Sequence, residues 1–351
     1  VQKIEVHIDF ETRSRCDLIK EGAHKYSQDP STEVLCMSYA IGDEGKVRIW
    51  TDPSHPFPQI LDKALKNPDR FIFVAHNASF EFLIWNFVCV KKYRWPKIPM
   101  HRWDCTMARA LAMGLPGKLE MAAKAVGLTN EKDMKGYRIM MQLCKPRKEN
   151  PDGSVEWWER EDYPDKFKIL YKYCIQDTVV ERELGKRVLK LSSSERALWL
   201  LDQKINFRGV YLDEKAVRKA MVLVAEEKEK FNEAIKTITD GSVRTVLSHG
   251  ALKIWLNEKQ KIECEGVGKD VVVTLLERDD LSSGARTALL IRQEAGMSST
   301  SKLKSMLAGK SKDGRVRGCF QFYGAASTGR FAGRRVQLHN LKRPTIPQDE
   351  I

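Results

Sequence analysis

The chain has 351 residues, 42% of them hydrophobic and 30% charged, with a net charge of +13. That mixture excludes a disordered chain and leaves room for two or three domains, each with its own core. No apolar run approaches the roughly 20 residues that a membrane-spanning helix needs, and the N-terminus lacks a signal-peptide pattern. The eight cysteines are scattered without a CxxC pair, which argues against the common zinc spacings and predicts a reducing, cytoplasmic compartment. The basic excess is uneven, with eleven Lys or Arg and one acid, Asp313, between Lys302 and Arg343. Such a segment suits a polyanionic partner, with nucleic acid the first candidate.

Ile4–Ile8 alternates apolar and polar residues and predicts a strand that runs into Asp9-Phe10-Glu11-Thr12. Residues two apart on a strand share a face, so Asp9 and Glu11 point the same way. Two carboxylates side by side repel, and a divalent cation relieves the repulsion; an isolated pair of this kind is also what two solvated acids at a strand end look like. Val34–Ile41 and Lys46–Trp50 read as a hairpin around the turn Gly42-Asp43-Glu44-Gly45, and Pro58–Leu65 as a helix. Arg70–His76 is a continuous apolar run suited to a strand buried on both faces. It leads into Asn77-Ala-Ser-Phe-Glu81, which has helical spacing and puts Glu81 in the first turns of a helix. Ligands gather at that carboxyl edge in open α/β sheets.

Asp104 is the expected N-cap of a helix beginning near Trp103, and Pro116-Gly117 its break. Leu119–Val126 reads as a short helix closed by Gly127. The polar stretch 145–164 reads as an exposed excursion, with Trp157 and Trp158 anchoring it to the body. Residues 165–190 predict a long helix that carries Tyr173 and Asp177, four apart, on one face. Ser192 to Glu195 is a capping box opening a helix that reaches Asn206. Asp213 caps another that reaches about Ile238, and shorter helices cover 251–259, 270–278 and 284–294. Arg315–Gly324 reads as a strand leading into Thr328-Gly329-Arg330.

Taken together in this order, Asp9-Phe-Glu11-Thr, His76-Asn77-Ala-Ser-Phe-Glu81 and Tyr173-Cys-Ile-Gln-Asp177 resemble the three exonuclease motifs of the DEDD superfamily, in the tyrosine branch found in proofreading domains of DNA polymerases. The resemblance covers 1–190. It implies an RNase H-like α/β domain with a mixed sheet flanked by helices, acting as a 3′→5′ DNA exonuclease with two divalent ions, Mg2+ or, as a substitute, Mn2+. Asp9, Glu11, Glu81 and Asp177 are the implied metal ligands. Tyr173 is the residue that orients the attacking water, because a phenol with a pKa near 10 is a poor base at neutral pH. Thr12 and Asn77 are implied contacts to the DNA end. The family carries Asp where this chain has Glu81, and the longer side chain can still deliver a carboxylate.

Gly209-Val-Tyr-Leu-Asp213, the Ser299-Thr-Ser-Lys302-Leu run and Thr328-Gly329-Arg330 to Gln337-Leu-His-Asn340 resemble the thumb and the start of the palm of family-A DNA polymerases, over 191–351. The resemblance implies a mainly helical second domain that holds primer-template DNA through Lys302, Thr328, Gly329, Arg330 and Asn340. His339 stands where that family has Gln, and Lys342 where it has Pro. Phage members place the first exonuclease motif at the N-terminus, as here, which predicts a phage or prophage origin. The polymerase metal-binding aspartates and fingers helix have no counterpart before Ile351. The expectation is therefore nuclease activity without nucleotide addition, with the remaining palm and fingers as a missing partner portion. Two other readings fit the same residues: a DNA-binding module with a degenerate nuclease site, and a 3′ RNA exonuclease.

Overall fold

The computed structural model describes residues 3–43, 45–128, 133–296, 300–325 and 328–341. It is a mixed α/β structure built around one five-stranded sheet. The strands are β1 (Ile4–Arg13), β2 (Glu33–Ile41), β3 (Arg48–Trp50), β4 (Phe71–Ala75) and β5 (Trp103–Cys105), in the spatial order β3-β2-β1-β4-β5. β1 is antiparallel to β2 and parallel to β4. It is therefore the centre of the sheet; β4 pairs with Ile4–His7 only, so the stretch that carries Asp9 and Glu11 is paired on the β2 side alone. The register of β1 on β2 slips between Glu11 and Thr12. Such a bulge re-aims side chains at a strand end. The aromatic core beneath β1 includes Phe10, Phe73, Trp85 and Trp103, all buried.

Most elements fall where the periodicity predicts, including the helices Gln59–Lys66, Leu119–Ala125, Pro164–Arg187 and Glu214–Ile238. The capping box is formed, with both Ser192 and Glu195 side chains engaged, and Asp213 Oδ1 accepts from Ala216 N at 3.0 Å. The excursion after residue 145 contains the hairpin strands Lys148–Glu149 and Val155–Glu156. Its tryptophans pack on the body, with Lys166 Nζ 3.7 Å above the Trp158 ring and Arg13 4.8 Å above Trp157. Glu44 and Ser299 lie outside the described residues, as do Lys342 and Arg343.

Asp104 corrects an expectation. It is not an N-cap: Trp103–Cys105 is the edge strand β5, parallel to β4, and the helix Thr106–Ala112 starts after it with Cys105 Sγ accepting from Ala108 N. The Asp104 carboxylate instead meets Arg109 Nη2 at 2.5 Å. The stretch 315–324 is likewise two pieces, Arg315–Val316 and Phe320–Ala325, separated where Gly318 takes φ +67°.

Two compact units emerge. The first is Val1–Tyr211 with Ala308–Asn340, and the second is built on Leu212–Leu307. The compact division thus falls after Tyr211, since Val210–Tyr211 pairs with Arg315–Val316 inside the first unit. The second unit is helical and has its own core, including Ile235, Leu252, Leu256, Leu289 and Trp255. Among the described residues no helix is long and apolar enough to cross a membrane.

Candidate active site

β1 supplies Asp9 and Glu11, and the helix Pro164–Arg187 crosses over β1 and β2 to supply Tyr173, Cys174 and Asp177. That helix is pinned from below. Ser38, the cross-strand partner of Asp9, donates its hydroxyl to Cys174 O at 2.8 Å and lies 2.5 Å from Thr178 Oγ1. The Cys174 thiol points back at the strand, 3.4 Å from Asp9 Oδ2 and 3.2 Å from Ser38 Oγ. Ligand atoms of Asp9, Glu11 and Cys174 all fall within 4.8 Å of one another.

Glu81 enters from the next element. β4 ends at Ala75, and Asn77 takes a left-handed conformation (φ 72°) that turns the chain sharply into the helix Ala78–Ile84. An asparagine tolerates that geometry where a branched residue would not. One turn later Glu81 is 4% exposed, and its Oε2 has no hydrogen-bond partner among the described residues. A buried carboxylate oxygen without a donor is costly, and a cation is one group that would satisfy it.

Of the four predicted acids, Asp9 and Glu11 lie together with Cys174, whereas Glu81 and Asp177 stand outside that trio and are felt through their charges. Burial, and then the Asp177 charge, push the Asp9 carboxyl up to about 8. Glu11 is raised by burial and then by Asp9 and Asp177. Glu81 is raised by burial and then by Asp9. Burial pushes Asp177 up to about 6, with the Tyr173 hydroxyl pulling the other way. Burial and the adjoining Asp177 raise the Tyr173 phenol, so it stays protonated at neutral pH. Mutually raised carboxylates are what a cation-binding cluster looks like without its cation.

Beside Glu11 lies a cavity of about 590 Å³. Its floor includes Phe10, Tyr26, Phe80 and Met140, and its rim carries Arg15, Lys145, Arg147 and Lys148. Thr12 lines it too, with its hydroxyl 2.8 Å from Tyr26 OH. Asn77 lines a different cavity, of about 510 Å³, with His76 and Gln203.

The remaining candidates lie on other elements. Thr328 and Gly329 form the turn after Ala325, both amides donating to its carbonyl, and Arg330 opens the returning strand with its side chain exposed. Asn340 ends a short 3-10 turn, its amide 3.2 Å from Gln337 Oε1. Lys302 belongs to the second unit.

Two features were absent from the sequence reading. Cys174 next to Tyr173 reads as core, yet it touches Asp9. Glu181, one helical turn beyond Asp177, is 3% exposed and meets His7 Nδ1 at 2.6 Å. The spacing Tyr173, Asp177, Glu181 is the signal that would have found it, since all three lie on one helical face.

Comparison with known proteins adds a relative. No family model matches the chain. A DNA polymerase of Bacillus phage SP02 is 35% identical over 356 residues, covering 98% of this chain and 51% of the phage protein. The chain is thus similar along nearly its whole length to a phage DNA polymerase. It spans about half the length of that relative. A solved structure described as the POL domain of Pol1 from M. smegmatis, in complex with DNA primer-template and dNTP, aligns with TM-score 0.57 at 13% identity, covering 98% of this chain and 53% of that one. At that identity the likeness is one of fold.

Proposed function

We propose that residues 1–190 form a 3′→5′ DNA exonuclease of the proofreading type, working within a family-A DNA polymerase inside the host cell. The observation that carries this is the placement of Asp9 and Glu11 side by side on β1 under the helix that brings Tyr173 and Asp177, with Glu81 buried, its Oε2 without a hydrogen-bond partner among the described residues, at the head of the helix after β4. The strand order β3-β2-β1-β4-β5, with the acids on the central strand and its covering helix, supports an RNase H-like reading of the sheet.

The donor set fits hard divalent ions, because carboxylate oxygens are what Mg2+ or Mn2+ prefer. Asp9, Glu11 and Asp177 would hold one ion, and Asp9 with Glu81 a second. Bound there, such ions activate water and stabilise the departing 3′ oxygen. The chain's own residues supply the rest. Tyr173, kept protonated beside Asp177, orients the water through its hydroxyl. The cavity beside Glu11 accepts the terminal nucleotide, its base against Phe10, Tyr26 and Phe80 and its phosphate toward Arg15, Lys145 and Arg147. Thr12 shapes that cavity. Each cycle would release one nucleoside monophosphate from a single-stranded 3′ end.

For the rest of the chain we infer the family-A thumb and the start of the palm, in contact with primer-template DNA through Lys302, Thr328, Gly329, Arg330 and Asn340. Asn77 makes the left-handed turn into the helix that carries Glu81, and its contact to the DNA end is part of this proposal. The test is release of a 3′ label from single-stranded DNA with Mg2+, comparing wild type with Asp9→Ala. Metal-dependent release that the substitution abolishes is expected; no release from the wild type would leave a DNA-binding module. Competition between DNA and RNA ends separates a DNA from an RNA exonuclease.

A further inference from the structure

We propose that Cys174 is itself a metal ligand: the Asp9–Glu11–Cys174 cluster takes a thiophilic divalent ion, such as Zn2+ or Co2+, through one sulfur and two carboxylate oxygens. The inference rests on reading the acids as a metal site and adds a soft donor to an otherwise hard set.

The geometry suits it. Zinc binds sulfur at about 2.3 Å and carboxylate oxygen at about 2.0–2.2 Å, so two such ligands at a tetrahedral angle lie about 3.5 Å apart. Cys174 Sγ is 3.4 Å from Asp9 Oδ2, and the three ligand atoms lie within 4.8 Å of one another. The thiol is held in that place. The Ser38 hydroxyl fixes the Cys174 carbonyl at 2.8 Å, and the residue is fully buried over β2. Glu81 stands outside that trio, although its buried Oε2 is a further carboxylate oxygen without a hydrogen-bond partner among the described residues, and solvent would complete the coordination.

Softness then sorts the ions. Mg2+ takes oxygens and leaves the thiol as a hydrogen-bond donor to Asp9, whereas Zn2+ and Co2+ accept thiolate readily. Binding forms a sulfur–metal bond and releases the thiol proton to solvent, with no change of oxidation state. A thiophilic ion seated this way occupies Asp9 and Glu11, so it displaces Mg2+ and arrests hydrolysis. Among the described residues no other three His, Cys, Asp or Glu side chains bring ligand atoms this close, so the first equivalent of ion reports on this cluster.

The experiment titrates the metal-free full chain with Co2+ and follows the sulfur-to-cobalt charge-transfer absorption. Expected is a band that saturates at one equivalent in wild type and in Cys36→Ser and is lost in Cys174→Ser. No band in wild type at one equivalent, or a band that survives Cys174→Ser, overturns the proposal. X-ray absorption of the wild type with one equivalent of Zn2+ needs no variant: a sulfur shell near 2.3 Å supports the assignment, and oxygen and nitrogen scatterers alone refute it. Both readouts are independent of Mg2+-dependent label release. A chain with the band but no nuclease sinks the exonuclease reading alone, and the reverse sinks this one alone.

Discussion

A methyl group on the α-carbon of Gly136 would lie 2.7 Å from Cδ2 of the Tyr173 ring and 2.5 Å from Asp133 Oδ2. The helix Met134–Leu143 therefore packs backbone against the phenol, and Asp133 caps that helix through the Gly136 amide at 2.7 Å. Contacts under 3 Å force something to move, and here the pieces that must move are Tyr173 and the cap. Gly136→Ala is expected to lower kcat for 3′ label release by about 10- to 100-fold, the scale of a misplaced catalytic group. Ion binding by Asp9 and Glu11 should survive, which titration with Mn2+ followed by electron paramagnetic resonance would read.

Arg109 is fully buried between Glu5 Oε1 at 2.8 Å and Asp104 Oδ2 at 2.5 Å. Removing the guanidinium takes the closest cation from both carboxylates, leaving Glu5 to Lys190 at 3.2 Å and Asp104 to Arg196 at 3.6 Å. Arg109→Ala should destabilise the first unit by about 3–5 kcal/mol in urea unfolding. Arg109 together with both acids replaced by apolar residues of similar size should cost far less.

His24 makes a contribution to the pH dependence whose sign is opposite to that of the raised carboxyls of Asp9, Glu11, Glu81 and Asp177. Burial, and then the charges of Arg317 and Arg335, push the His24 pKa down to about 3, and its ring meets Phe207 edge-on at 5.2 Å. The folded pKa lies below the unfolded one, near 6.5, so the unfolded chain binds more protons between those values. Stability from this group is complete above about pH 6.5 and is lost as pH falls toward 3. His24→Leu should flatten the acid limb by up to about 1.4 kcal/mol per pH unit, measured by urea titrations at pH 4.5, 5.5 and 7.

Arg330 is exposed at the start of the strand Arg330–Gly333. If it meets backbone phosphate, Arg330→Ala weakens primer-template binding equally across sequences. The slope of log affinity against log salt then falls by about 1. An unchanged slope would remove Arg330 from the interface.

Elements with long, regular patterns were legible. The alternation of Ile4–Ile8, the unbroken apolar run before His76 and the Ser192–Glu195 box all form what local chemistry dictates. Asp104 was not legible, because β5 has three residues and is held as a strand by pairing with β4 rather than by its own pattern. The helices Ala23–Gln28 and Met134–Leu143 escaped for a similar reason: their ends are set by the Gly22 turn and the Asp133 cap. The acids could be ordered along the chain, but the bond between His7 and Glu181 joins residues 174 apart and has no local trace. Cys174 was hidden by its type, since a cysteine on a helix face usually means core.

The pairing of Val210 with Val316 and Tyr211 with Arg315 has an architectural consequence. Cross-strand α-carbons in such a ladder are about 5 Å apart, so the chain leaves the first unit and returns to it at adjoining points. The second unit is then a cassette, spliced into a small sheet whose two halves already stand in register. Closing a longer or shorter excursion costs little, about 0.6 kcal/mol per doubling of its length. Replacing Leu212–Leu307 by a short turn should leave the acid cluster folded. The same junction would let the insert be exchanged or resized while the first unit stays unchanged.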